Sequence, residues 1–268
     1  MKKLLIIVVL VLLVTSIGTV QAITYGQPDS NNQYPWVGLM LSPAQGGGFF
    51  VCSGSLISET VFLTAAHCLD NDAEYLVTFK QDGPYDLKRD FVEGTPHQHP
   101  GWTGGLTVPN TSDVGVIVLR QRQSGPYGQL APRGFIDQLL TQPGTNDLGF
   151  TAVGYGLQTS QNANSNRVQD PWDLARWFGF QRLMQTDSAY TDGFNIQLTN
   201  NAGTEGGGGT CSGDSGGPIL HTATGNIVAV NSFGVAPNCH GNDYAYRIDI
   251  AYSRDFVDGF LGGGGRNR

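Results

Sequence analysis

Short apolar stretches, several with alternating polar residues, recur along most of the chain, and turn-forming residues separate them. Typical examples are Val114 to Leu119 and Ile227 to Val230. Short runs of this kind, bounded by Gly, Pro, Asn and Asp, predict β-strands. So many short strands favour an all-β barrel or sandwich. The other stretches are Trp36 to Leu41, Tyr75 to Phe79, Phe150 to Val153 and Phe194 to Leu198.

Helical periodicity is confined to two segments. Within Asp170 to Phe178, Trp172, Leu174 and Trp177 cluster, and within Ile248 to Leu261 four apolar residues near the end share one face. Apolar residues three to four positions apart indicate an amphipathic helix. We therefore predict a packing helix in each segment.

Residues 1–22 have the organisation of a secretory signal peptide. Lys2 and Lys3 form a basic start, Leu4 to Val14 are unbroken apolar residues, and Val20 to Ala22 offer small side chains for cleavage. A membrane anchor is the alternative, but a spanning helix needs about 20 apolar residues. We expect cleavage after Ala22, secretion or export to a periplasm, and no membrane attachment afterwards. Residues 262–268 are predicted to form a flexible tail.

Charge and composition exclude several classes of function. The full chain has 15 Lys and Arg and 22 Asp and Glu, and loss of Lys2 and Lys3 leaves a formal charge of −9. Such an acidic surface repels phosphate backbones, so nucleic acid is not expected as a partner. The 38 glycines follow no three-residue period, which excludes collagen and indicates many turns.

The four cysteines of an exported chain are most simply interpreted as two disulfides, because secretion moves them into an oxidising compartment. The residues alone allow three pairings. Zinc is the alternative, but the chain has no Cys-x-x-Cys pair, so we expect no metal site.

The segment from Gly209 to Pro218 carries the sharpest chemical signal. Its sequence, Gly-Thr-Cys-Ser-Gly-Asp-Ser-Gly-Gly-Pro, places Ser215 between small residues on a tight turn, where backbone N–H groups can approach a substrate carbonyl. A plain surface loop is the alternative. The same letters satisfy the Gly-x-Ser-x-Gly elbow of α/β-hydrolases. In that class the histidine follows the serine, and only His221 and His240 do so here.

A histidine and an aspartate upstream complete a possible nucleophilic site. His67 lies in Leu-Thr-Ala-Ala-His-Cys, and Asp113 begins Asp-Val-Gly-Val-Ile-Val-Leu at the mouth of an apolar strand. Burying a carboxylate there is costly unless it accepts hydrogen bonds, and an imidazole N–H can supply one. A capping or turn aspartate is the alternative for Asp113. The chain order is histidine, aspartate, serine.

These three blocks together resemble the signatures of chymotrypsin- and trypsin-like serine proteases. The spacings of 46 and 102 residues between His67, Asp113 and Ser215 are similar to the layout of that family. The resemblance implies an all-β fold of two six-stranded antiparallel barrels with the site between them and a C-terminal helix. The domain would span residues 23–261, with the boundary between barrels at about 125–145.

The resemblance also implies residue roles. Ser215 would be the nucleophile, His67 its general base and Asp113 the group that orients the histidine. The N–H groups of Gly213 and Ser215 would form the oxyanion hole, and no cofactor would be required. The disulfides would be Cys52–Cys68 and Cys211–Cys239.

Specificity and activation follow from two further parts of the resemblance. The position that holds an aspartate in trypsin is Gly209, followed by Thr210, so we expect an uncharged pocket and cleavage after small or medium apolar residues. Ser232, Phe233 and Gly234 would pair with substrate, and Tyr244 would narrow the pocket. Ile23, exposed by signal cleavage, would insert its α-ammonium beside Asp214, so no separate activating cut would be needed.

The resemblance thus predicts a secreted serine endopeptidase that acts on proteins or peptides, and we expect a monomer. A catalytically weak or inactive binding protein with the protease fold is the alternative, because fold does not determine activity. The presence of all three residues of the triad favours the enzyme.

Overall fold

The protein is described from a computed structural model. It describes residues 22–44, 47–69, 74–141, 148–157, 174–201, 207–236 and 239–262. Most of the predicted signal peptide and tail lie outside these residues.

The first half of the chain forms a closed antiparallel barrel with strand order β2-β3-β4-β7-β6-β5. Glycines make room for large side chains inside it: a β-carbon added at Gly54 would collide with the Phe62 ring, and one at Gly38 would lie 2.8 Å from it. Phe62 is therefore fully buried. The strands are β2 Val37–Pro43, β3 Phe49–Leu56, β4 Val61–Thr64, β5 Tyr75–Thr78, β6 Val92–Gln98 and β7 Gly115–Leu119.

The second half forms another six-stranded antiparallel barrel, in the order β8-β9-β10-β13-β12-β11, which closes because β8 pairs with both β9 and β11. A short strand β1, Gln27–Pro28, adds to β9. Inward-facing apolar residues such as Ile196, Ile219 and Val228 form its core. The strands are β8 Gly149–Gly154, β9 Trp177–Gln185, β10 Asn195–Asn200, β11 Pro218–His221, β12 Ile227–Gly234 and β13 Gly241–Arg247. The predicted fold of two six-stranded barrels is confirmed.

Helices are few. A C-terminal helix, α2 (Ala251–Leu261), confirms one predicted helix, and α1 (Phe135–Thr141) was not predicted. A 3₁₀ turn covers Ala66–Leu69. Residues Ala22–Tyr25 form an irregular turn, because the φ and ψ angles of Ile23 are not helical.

The other predicted helix is wrong where it can be compared. Leu174 has a φ of 51°, outside the right-handed helical region, and Trp177 and Phe178 begin strand β9. Residues 170–173 lie outside the described residues. Apolar residues cluster here because Trp177 and Phe178 are both buried in a strand with neighbours on each side. A short apolar run of this kind does not distinguish strand from helix.

A buried arginine ties the barrels together. The Nε of Arg176, just before β9, forms a 2.7 Å ion pair with Asp29, and neither side chain is exposed. Its Nη1 donates to the carbonyl oxygen of Val37, which belongs to the first barrel. The barrels are therefore fixed to each other by polar contacts as well as by packing. Among the residues described, no helix is long and apolar enough to cross a membrane.

Candidate active site

The histidine and aspartate of the first barrel form a tight pair. His67 lies in the 3₁₀ turn after β4, and Asp113 lies two residues before β7 and is fully buried. The His67 Nδ1 lies 2.8 Å from Asp113 Oδ2, and the backbone N–H of His67 donates to Oδ1 at 2.9 Å. Asp113 therefore holds the ring at Nδ1, and the His67 side chain remains 24% exposed to solvent.

A third group holds Asp113 from the second barrel. The Ser232 hydroxyl donates to Asp113 Oδ2 at 2.5 Å. The resemblance assigned Ser232 to substrate binding only, and nothing in a separation of 119 residues predicts this contact. The carboxylate is therefore solvated entirely by protein donors, which is what makes its burial tolerable.

Ser215 lies on a turn that both barrels hold in place. The turn needs glycine because Gly213 and Gly216 have φ angles of 99° and 78°. From the first barrel, the Ser53 N–H donates to Ser215 O at 2.8 Å, and the Ser53 hydroxyl donates to Gly213 O at 2.9 Å. From the second barrel, Gly216 N–H donates to Asn231 O at 2.8 Å.

The serine turn is adjacent to the histidine turn. The sulfur of Cys68, the residue after His67, lies 3.8 Å from Ser215 O. This is a packing contact, because a sulfur in a disulfide has no proton to donate. Ser215 is half-buried, whereas Gly213 is buried. Within the described part of the chain, neither the Gly213 nor the Ser215 N–H donates a hydrogen bond. Both donors are thus available to a ligand.

Two disulfides brace these turns, and their pairing is the one that the resemblance implied. Cys52–Cys68 connects β3 to the histidine turn, and Cys211–Cys239 connects the serine segment to the loop before β13. Closing loops of 16 and 28 residues stabilises the fold by about 3 to 4 kcal/mol each in the chain-entropy model.

A cleft of about 190 Å³ opens beside Ser215, and we call it the Ser215 cleft. Of the residues predicted to form a specificity pocket, Gly209 and Tyr244 are absent from its lining. Gly209 pairs with Thr24, and Tyr244 stacks on Phe233 with ring centroids 4.7 Å apart. The lining consists of Asn200, Thr210, Cys211, Ser212, Ser215, Asn231, Ser232, Phe233, Gly234, Ala236, Cys239, His240, Asn242 and Asp243.

The expectation of an uncharged pocket is wrong. Asp243, on β13, lines the Ser215 cleft and is only 2% exposed. Burial raises the pKa of Asp243 to about 6. The hydrogen bonds that its carboxyl group accepts from the Thr210 N–H, Asn200 and Gln181 oppose part of this rise. Sequence comparison of the Gly209 position alone could not find this acid, because it comes from a strand that follows the serine.

The N-terminal segment packs on the second barrel, which also contains a second buried acid, Asp214. Ile23 is fully buried, its side chain lies beside Gly179 and Gly208, and Thr24 pairs with Gly209. Asp214 accepts hydrogen bonds from the N–H groups of Gly156 and Cys211 at 2.8 and 3.0 Å. Burial raises the pKa of Asp214 to about 7. None of the ion pairs between described residues involves it.

Two antiparallel barrels that present a histidine–aspartate pair and a glycine-flanked serine on adjacent turns define a serine hydrolase of the two-barrel class. Residues 23–257 match the family model described as Trypsin. The chain therefore belongs to the trypsin family and is a serine endopeptidase.

Individual relatives agree with this family. The chain is 29% identical to brachyurin of Leptuca pugilator over 78% of this chain and 86% of that protein. It is 27% identical to kallikrein-8 of Homo sapiens, over 89% and 85% of the two chains. It spans only 62% of the length of CLIP domain-containing serine protease B4 of Anopheles gambiae, at 26% identity.

Solved structures show the same fold. The structure titled HL collagenase has a TM-score of 0.69 and 17% identity, and the comparison covers 90% of this chain and 99% of that one. A mutant of human heparin binding protein has a TM-score of 0.65 at 20% identity, over 92% of this chain and 100% of that one. At these identities the likeness concerns the fold alone.

Proposed function

We propose that this chain is a secreted serine endopeptidase in which Ser215, His67 and Asp113 form the catalytic triad. The observation that carries the proposal is the hydrogen-bonded His67–Asp113 pair beside the turn that presents Ser215. Membership of the trypsin family supports the reaction class, and the contacts around these three side chains support their roles.

In the proposed mechanism, His67 accepts the Ser215 hydroxyl proton as the oxygen attacks a peptide carbonyl carbon. The histidine then returns that proton to the leaving amine as the C–N bond breaks, leaving an acyl-enzyme that water hydrolyses. Asp113 fixes the Nδ1–H tautomer and stabilises the imidazolium. The backbone N–H of His67 and the Ser232 hydroxyl both donate hydrogen bonds to its buried carboxyl group.

The Gly213 and Ser215 N–H groups would bind the oxyanion of the tetrahedral intermediate. Hydrogen bonds to the Gly213 and Ser215 carbonyl oxygens hold this turn without using either N–H, so the two donors need no rearrangement when charge develops. Loss of one such donor typically costs about 3 to 4 kcal/mol of transition-state stabilisation.

Activation would follow directly from signal cleavage after Ala22. The Ile23 side chain is already buried on the second barrel, and Asp214 is a buried carboxylate that only neutral N–H groups contact in the described residues. A new α-ammonium at Ile23 would supply the cation. An unpaired buried charge costs several kcal/mol, so this pairing would stabilise the serine turn strongly.

The proposal includes protein or peptide substrates, a monomeric enzyme outside the cell or in a periplasm, and no cofactor. The acidic mature surface supports the absence of nucleic-acid partners. The sequence-based expectation of an apolar preference depended on an uncharged pocket, and Asp243 removes that basis.

The alternative is a binding protein that keeps this fold without turnover. The intact His67–Asp113 pair, with Ser215 beside it, favours the enzyme. The deciding experiment is digestion of a random peptide library by secreted chain, with Ser215→Ala as the blank. We expect cuts that are absent from the blank, and equal digestion by both proteins would refute the proposal.

A further inference from the structure

Ser53, on strand β3, is a fully buried serine whose polar atoms all form hydrogen bonds. Its N–H donates to Ser215 O at 2.8 Å, and its carbonyl oxygen accepts from the Thr64 hydroxyl at 2.8 Å. Its own hydroxyl donates to Gly213 O at 2.9 Å and accepts from the Tyr155 N–H at 2.9 Å. One residue of the first barrel therefore contacts both the serine turn and the residue that follows β8 in the second barrel.

The two carbonyl groups that Ser53 holds belong to the residues that carry the proposed oxyanion donors. Along the chain, Gly213 O follows the first N–H donor and Ser215 O follows the second. A peptide group is planar, so a hydrogen bond to its oxygen restrains the orientation of the whole group. Ser53 thus restrains the peptide group that lies between the two donors and the one that comes after them.

The peptide group after Gly213 has little stiffness of its own. Gly213 has a φ of 99°, a conformation that glycine leaves as readily as it adopts, since it lacks a β-carbon. On the other side of that peptide group the Asp214 N–H donates to Cys211 O at 3.0 Å, but this bond lies within the serine segment and moves with it. Among the hydrogen bonds between described residues, only the one from the Ser53 hydroxyl reaches Gly213 O. Since Ser53 belongs to the barrel that carries His67, this bond fixes the donors relative to the histidine.

The direction of the Ser53 hydroxyl is determined by its second partner. A hydroxyl has one proton and two acceptor lone pairs, and the Tyr155 N–H occupies one lone pair. The proton then remains for Gly213 O. The next N–H group of the chain, that of Gly156, donates to Asp214 Oδ1 at 2.8 Å, so the turn after β8 holds the serine segment at a neighbouring point as well. The hydroxyl therefore joins three separate pieces of chain in one buried arrangement.

We propose that Ser53 is a positioning residue for peptide hydrolysis, whose hydroxyl sets the oxyanion donors of the serine turn in register with His67. Because Ser53 is fully buried, it acts through the Gly213 carbonyl group rather than by contact with substrate. The inference deepens the proposed function and rests on it. A separation of 160 residues between Ser53 and Gly213 explains why no local motif indicates this role.

Ser53→Ala removes the hydroxyl and keeps the N–H that holds Ser215 O. For a peptide amide that the wild-type chain cuts, we expect kcat to fall about 10-fold, the effect of losing one buried hydrogen bond that orients the donors. KM should change by less than about 2-fold, because Ser53 does not contact bound substrate. The concentration of active enzyme is measured by fluorophosphonate labelling of Ser215.

The matched control is Ser55→Ala, two residues further along the same strand. The Ser55 hydroxyl is also buried but has no hydrogen-bond partner in the described part of the chain. Its removal should leave kcat within about 2-fold of the wild-type value.

A pair of inhibitors separates positioning from a general loss of structure. A peptide aldehyde of the same sequence accepts the Ser215 oxygen at its carbonyl carbon, the hydroxyl proton passes to His67, and the aldehyde oxygen becomes an oxyanion that the two donors bind. The matching peptide alcohol cannot form this bond. We expect the inhibition constant of the aldehyde to rise about 10-fold in Ser53→Ala and that of the alcohol to change by less than about 2-fold. An inhibition constant concerns only the molecules that bind, so a lower folded fraction does not imitate this result.

An aldehyde-to-alcohol ratio that Ser53→Ala leaves unchanged, or an equal change in Ser55→Ala, would overturn the inference. The proposed function can fail separately. A wild-type chain that hydrolyses peptides, with full kcat in Ser53→Ala, would retain the function and lose only the role of Ser53. A wild-type chain that hydrolyses nothing and is not labelled at Ser215 would lose the function, and the role of Ser53 with it.

Discussion

The two halves of the site, one on each barrel, hold buried acids in different electrostatic situations. Among the described residues five aspartates are fully or almost fully buried, and three of them have a basic partner: Asp29 with Arg176, Asp113 with His67, and Asp249 with Arg247. Asp214 and Asp243, both in the second barrel near Ser215, have hydrogen bonds from neutral groups only.

This difference teaches how the site is assembled. The half of the site on the first barrel is complete, because His67 and Asp113 already form a hydrogen-bonded pair. The half on the second barrel has two anionic positions whose pKa values are raised by burial, which is the expected sign for carboxylates without a cation. We interpret Asp214 as the acid that pairs with the new N-terminus after signal cleavage.

The largest expected effect comes from breaking the completed half. Asp113→Asn should reduce kcat/KM by about 10⁴-fold, the loss typical of a triad whose histidine takes the wrong tautomer. The measurement is hydrolysis of a peptide amide, and circular dichroism checks the fold. Asp255→Asn, at a 70% exposed side chain, is the matched control and should change kcat/KM little. Comparable activity in both variants would remove Asp113 from the triad.

The activity of the enzyme should depend on the exact N-terminus, because the half of the site on the second barrel lacks a cation beside Asp214. One extra glycine ahead of Ile23 should lower kcat/KM by about 100-fold or more, because the displaced ammonium no longer pairs with Asp214 and an unpaired buried charge costs several kcal/mol. A glycine added after Arg268 is the control. N-terminal sequencing of active secreted protein should give Ile23 first. Full activity with the extension would show that Ile23 has no such role.

The same pairing has a signature in stability against pH. In uncut Ser215→Ala protein, burial raises the pKa of Asp214 to about 7, well above the unfolded value of about 4. The folded state then binds this proton more tightly than the unfolded state. The contribution is complete below about pH 4 and is lost as pH rises through 7, by about 3 to 4 kcal/mol.

Urea unfolding across this pH range measures that loss. The matched control is Asp214→Asn in the same uncut Ser215→Ala background, which removes this carboxyl group and keeps the other buried acids. We expect the free energy of unfolding of the protein with Asp214, relative to that of the Asp214→Asn control, to fall as the pH rises from about 4 to 7. Parallel pH profiles would contradict the absence of a cation beside Asp214.

The smallest expected effect concerns the contact between the barrels. Ser232→Ala should lower kcat/KM by about 10-fold, because the variant loses a hydrogen bond that helps to hold Asp113 in place. A hydrogen bond to a charged group contributes about 1.5 to 3 kcal/mol. KM should change less than kcat if the hydroxyl acts through Asp113. Ser55→Ala is the matched control, because the Ser55 hydroxyl is buried without a hydrogen-bond partner in the described part of the chain. Equal losses in both variants would argue against a role for Ser232.

Sequence patterns predicted the parts of this molecule that depend on local order. Alternating apolar stretches indicated the strands, and the Gly-Asp-Ser-Gly-Gly-Pro block identified a turn whose φ angles require glycine. The segment at Trp177 was misassigned because burial on both faces of a strand removes the period of two that distinguishes it from a helix.

The contacts that were not predicted come from the way the strands pair and the barrels pack, rather than from a local motif. Ser232 reaches Asp113 across 119 residues, and Asp243 enters the Ser215 cleft by pairing with Gly234 of a neighbouring strand. Such contacts depend on barrel closure and strand register, which no local spacing encodes. The charge of a pocket therefore needs the structure, whereas its nucleophile does not.

The most direct test of the central claim is labelling of processed chain by a fluorophosphonate, with the modified residue located by mass spectrometry. Our account predicts a single adduct on Ser215, and its absence in His67→Ala, since the serine oxygen needs its base to react at a comparable rate. An adduct on another serine, or undiminished labelling of Ser215 without His67, would contradict the triad.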